Sequence, residues 1–130
     1  MEFKTFLKKY NLKNKSTSNK KISEVINKLK IKDFNIYMRD DKLTTKQGII
    51  NLDNKKGTHW VCYYKNNYFD SFGVKPPKII ERQLKPLIFS TYNIQKINEN
   101  LCASYCLYIL YLIDNYFTFE QAVLKLFFSL

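Results

Sequence analysis

At 130 residues, with 45% hydrophobic and 16% aromatic content, the chain can bury about two thirds of its unfolded surface around one core. That excludes a disordered or disulfide-dependent class and predicts a single domain over residues 1–130. The net charge of +11 is uneven: residues 1–56 carry 15 Lys and Arg against 6 Asp and Glu, whereas residues 57–130 carry 7 against 5.

The basic N-terminal half would attract phosphate polymers and acidic partners. Of the 22 basic residues 20 are lysine, in a chain also rich in Asn, Ile, Tyr and Phe, and an AT-rich coding sequence would account for the excess as well. The three cysteines, Cys62, Cys102 and Cys106, and the single histidine cannot form a zinc site of four protein ligands unless an acid joins them or all four take part. Reduced thiols and an intracellular setting are expected. The N-terminus is charged too early for a signal peptide, and the longest apolar run, Leu101 to Ile113, is too short to span a bilayer. The expectation is a soluble protein, monomeric, without a membrane partner, and with no cofactor required by its sequence.

In chain order, Met1 to Tyr10 fits a short amphipathic helix, followed by a polar loop. Ser18 or Asn19 can cap a second helix whose apolar stripe is Ile22, Val25, Ile26, Leu29 and Ile31. Phe34–Met38 and Ile49–Leu52 read as short strands. Two more, His59–Tyr64 and Tyr68–Phe72, are joined across Lys65-Asn66-Asn67. Pro76 and Pro77 suit the start of a helix through IIERQL, and PLIFS and TYNIQ suggest one or two further strands. From about Asn100 to Tyr116 the pattern is helical and apolar nearly all round, which marks a central helix. Thr118 and Gln121 form a capping-box pattern opening a last helix to Leu130. Helices, a small mainly antiparallel sheet and then more helices make the fold class α+β.

Chemistry concentrates around the lone histidine. A two-residue turn at Lys65 and Asn66 pairs Tyr64 with Asn67 and makes His59 and Asp70 diagonal neighbours on one face, whereas a three-residue turn without a bulge separates them. An aspartate so placed orients an imidazole and stabilises its charged form. Such a base needs a nucleophile, and Cys102 has the best context. Asn98 or Asn100 can cap the helix it opens, and a helix N-terminus favours thiolate. Gln95, seven residues earlier, can aim its amide at a developing oxyanion together with the Cys102 backbone N–H. Cys106, inside the helix, is the rival nucleophile but lacks free N–H groups, and it and Cys62 read as packing residues. Trp60 alternates to the face opposite His59, as core or pocket wall.

The string GTHWVCYY, then YFDSFG with PP soon after, then Gln, six intervening residues and CASYC resembles the adenovirus-type maturation cysteine proteases. It is most similar to their relatives in virophages and Maverick/Polinton elements. The matching segment runs from Gly57 to about Leu110, and YMRDD and GIINLDN before it also resemble Polinton-type members. The family order is His, acid, Gln, Cys, and the resemblance maps it onto His59, Asp70, Gln95 and Cys102. Ala103 departs from the glycine usual after the nucleophile, adding a methyl where backbone approaches the reacting carbonyl.

The resemblance implies an adenain-like fold, shared in its core with proteases of ubiquitin- and SUMO-like modifiers. It further implies processing of capsid or precursor proteins at glycine-containing sites during virion maturation, in the host-cell cytoplasm or viral factory and in the virion. A DNA or peptide activator is also implied, and DNA would suit the basic N-terminal half. Two other readings stand beside it. One is an isopeptidase acting on ubiquitin- or SUMO-like tails, and the other is a non-catalytic basic module that binds nucleic acid, recognisable by salt-sensitive affinity without thiol reactivity.

Overall fold

The computed structural model describes residues 1–12, 17–53, 59–94 and 100–130. Among them the order of elements is α1 (Phe3–Lys9), α2 (Asn19–Leu29), β1 (Phe34–Met38), β2 (Gln47–Asn51), β3 (Trp60–Tyr64), β4 (Asn67–Phe69), α3 (Lys78–Glu81), β5 (Ile88–Phe89), α4 (Cys102–Asp114) and α5 (Phe119–Phe128). The class is α+β. The five strands form one sheet in chain order, but it is mixed rather than mainly antiparallel. β2–β3 and β3–β4 are antiparallel, while the outer pairs β1–β2 and β4–β5 are parallel.

The parallel β1–β2 pair depends on a short crossover, residues 39–46. Asp41 turns the chain by bonding Met38 through both backbone and carboxylate. On the way back, the Tyr37 hydroxyl of β1 accepts the N–H groups of Thr44 and Thr45, each at 3.1 Å. The Tyr63 hydroxyl reaches the Thr45 carbonyl at 2.8 Å. Gly48 of β2 permits this arrangement, because a Cβ there would meet the Tyr37 and Tyr63 rings at 2.8 and 2.9 Å.

α4 is the axis of the fold. Only Tyr111 and Asp114 in it escape burial, since its apolar residues surround it rather than forming a stripe. It lies on β3 and is flanked by α1, α2 and α5, with Trp60, Cys62, Phe69 and Ile49 contributed by the sheet. α2 begins at Ser18, whose hydroxyl accepts the Lys21 N–H at 3.2 Å. α5 begins with a reciprocal box, in which Gln121 N–H donates to Thr118 Oγ1 at 3.1 Å and Thr118 N–H to Gln121 Oε1 at 3.0 Å. The other sheet face has a smaller cluster of Tyr37, Ile50, Val61, Tyr63, Tyr68, Ile80 and Leu84.

Two local expectations need correction, and the one or two further strands expected over PLIFS and TYNIQ resolve, among the described residues, to one, β5. The helix after Pro77 is one turn long. Residues 91–94 form no strand. Leu101, not an asparagine, occupies the N-cap of α4 and makes no side-chain cap bond; Asn98 lies outside the described residues.

Candidate active site

The β3–β4 hairpin turns at Lys65 and Asn66, with Tyr64 opposite Asn67 and the left-handed residue being Lys65 (φ 56°). This is the two-residue turn, and its parity brings the histidine and aspartate together. His59 Nε2 and Asp70 Oδ1 are 2.9 Å apart. The aspartate side chain is 5% exposed and the histidine side chain 24%, so the acid lies beneath the base.

Asp70 is held by its own turn. Its Oδ1 also accepts the Phe72 N–H at 2.8 Å, and its carbonyl accepts the Gly73 N–H at 2.8 Å. Gly73 has φ 72°, which glycine adopts without steric penalty. A Cβ there would lie 2.6 Å from the Thr91 carbonyl oxygen. The Ile94 N–H donates to Ser71 O at 2.7 Å, so the turn and segment 91–94 are seated on one another.

Cys102 is the first residue of α4 and is buried at 6% exposure. Its sulfur accepts the Trp60 N–H at 3.5 Å, and one helical turn later the Cys106 thiol donates to the Trp60 carbonyl at 3.5 Å. The alternation of a β ladder explains why these groups are open. The His59 carbonyl faces β2, where it accepts the Leu52 N–H at 2.9 Å. Trp60 therefore turns its polar atoms toward β4. There the chain has left the ladder after Phe69, and the two thiols take the vacated positions.

The imidazole is pushed up to about 9. Burial by itself would lower it, but the hydrogen bond to Asp70 and then that to Cys102 outweigh burial, and the charges of both groups add to the rise. With Nε2 committed to Asp70, Nδ1 is the ring nitrogen left for the thiol. Burial pushes the Cys106 thiol well up, and the neighbouring Cys62 thiol adds to this, so Cys106 is a poor nucleophile.

The structure thus brings His59, Asp70 and Cys102 together at the end of the sheet beneath the head of α4, while Gln95 lies outside the described residues. Ala103 is 1% exposed within the main core cluster, so its methyl is packed inward. The sequence reading did not single out Phe72, whose ring lies against His59 with centroids 5.1 Å apart. The signal was present in Asp-Ser-Phe-Gly, where an aspartate commonly bonds the backbone two residues on. Among the described residues no group of three or more His, Cys, Asp or Glu side chains gathers to hold a metal ion, and no helix is long and apolar enough to cross a membrane. Comparison of the chain with family models, curated proteins and solved structures finds no match.

Proposed function

We propose that this chain is a cysteine endopeptidase with an adenain-like fold, in which Cys102 is the nucleophile, His59 the general acid–base and Asp70 its orienting acid. The observation that carries the reading is the 2.9 Å His59–Asp70 bond beneath an imidazole whose other side engages the thiol at the head of α4. Thiolate attack on a peptide carbonyl forms the carbon–sulfur bond, and the His59 imidazolium protonates the departing amine as the peptide bond breaks. The neutral imidazole then takes a proton from water, which attacks the thioester and releases the acid and the thiol. The Cys102 backbone N–H, with the amide of Gln95, would receive the negative charge on the oxygen. The motif resemblance extends the reading to viral precursor proteins as substrates and to DNA as a partner of the basic half.

The test is cleavage of a library of glycine-containing peptides, read by mass spectrometry, by the wild type and by Cys102→Ala. Defined cleavage that disappears in the variant supports the assignment. Equal product patterns from both remove it.

A further inference from the structure

We propose that Phe72 is a positioning residue for this site, its backbone orienting the acid and its ring holding the base. The proposal rests on the peptidase reading for its catalytic meaning. It starts from two independent contacts of a single residue. The Phe72 N–H and His59 Nε2 share one carboxylate oxygen of Asp70, at 2.8 and 2.9 Å. The Phe72 side chain lies on the imidazole, with centroids 5.1 Å apart and planes 35° apart.

The backbone of Phe72 has little freedom to move. It sits between the Asp70 carbonyl, which takes the Gly73 N–H, and the left-handed Gly73 pressed against Thr91; the Ser71 carbonyl beside it is bonded by Ile94. A ring carried on so fixed a turn blocks rotation of the imidazole on that face. It also keeps water from one side of the His59–Asp70 bond. Among the described residues the titratable groups acting on His59 are Asp70, from the end of β4, and Cys102, from α4.

The ring's contact has a definite sign. Burial lowers the histidine and its partners raise it, with a net rise to about 9. Admitting water relieves the burial while weakening the partners, so those two changes oppose one another. Loss of the aromatic face against a cationic ring, and of the fixed geometry toward Asp70, moves the midpoint down. Phe72 as mere packing would leave the histidine unmoved or, through lost burial, raise it.

His59 is the only histidine, so its ring protons can be followed in NMR titrations without ambiguity. In Phe72→Ala the His59 midpoint is expected to fall by about one unit, a tenfold change in the protonation equilibrium. Alkylation of Cys102 by iodoacetamide at neutral pH, mapped by mass spectrometry, should slow in parallel. Phe72→Tyr, which retains the ring, should restore both. Should Phe72→Ala fail to fold, Phe72→Leu keeps bulk and serves instead, with a smaller fall in the same direction. A folded variant whose His59 midpoint is unchanged or raised, with a Cys102 alkylation rate no slower than that of wild type, overturns the proposal. Failure of the peptidase reading has a separate signature: no peptide cleavage by wild type, with the histidine titration still responding to Phe72.

Discussion

Helices α1, α2, α4 and α5 cover one face of the sheet with aliphatic and aromatic side chains, whereas the other face carries, among the described residues, the one-turn α3 with Leu84 and Leu87 after it and the 39–46 crossover. The first is closed by bulk, and its stability scales with apolar area removed from water. The second is tied by a hydroxyl network in which Tyr37, Tyr63 and Thr45 bond one another and the crossover backbone. The candidate site lies where the two meet. The thiol belongs to the head of the thick layer's central helix, and the base and acid belong to strand ends. Of the three, His59 is the most exposed, with 24% of its side chain open to solvent, while Cys102 and Asp70 stay buried.

The largest expected effect is at the border itself. Asp70→Asn removes the charge that holds His59, and turnover should fall at least about a hundredfold, measured as kcat on a cleaved peptide. A decrease of twofold or less would mean that the aspartate only shapes its turn.

Leu107→Ala tests the thick side. Leu107 is fully buried in α4, so unfolding free energy should drop by about 2–5 kcal/mol in urea titrations. Thr45→Val tests the thin side by deleting one hydroxyl of the network at nearly constant volume, with an expected loss of about 1–2 kcal/mol. A larger loss at Thr45 than at Leu107 would invert the comparison between the faces.

A further effect is a pH dependence. Because the folded value of His59 lies at about 9 against an ordinary 6.5, its contribution to stability is fully present below 6.5 and is lost as pH rises through 9. Wild type should therefore melt above Asp70→Asn at pH 6 and lose that component of the difference by pH 10. A Tm difference that is constant over the range would mean that the pair is not charged at neutral pH.

Much of this was legible because local rules and tertiary packing agree. The continuous apolar pattern of CASYCLYILYLI leaves a helix no solvent face, and Thr118 with Gln121 can form a box without help from the rest of the chain. The contact of His59 with Asp70 followed from the parity of a two-residue turn.

Strand direction was not legible. Nothing in FNIYM or QGIIN carries orientation, and the parallel pairing depends on the Tyr37 hydroxyl meeting a loop seven and eight residues on. Segment 91–94 has the composition of a strand, but it lies against the Gly73 turn instead of extending the ladder. The N-cap of α4 fell to Leu101 rather than Asn100, although Asn100 has the better propensity. The role of the Trp60 backbone could not be read from residue types, because it arises from β4 ending one bonded position early.

The hairpin also limits how such a gene can change. Lys65 and Asn66 form the shortest link in the sheet, and exchanging either for another turn-forming residue leaves the partners of every rung unaltered. A codon inserted there with no bulge to absorb it would swing the aspartate to the far side of the ribbon and disarm the histidine, so this lineage should accept spelling changes at its tip more readily than single-codon gains and losses.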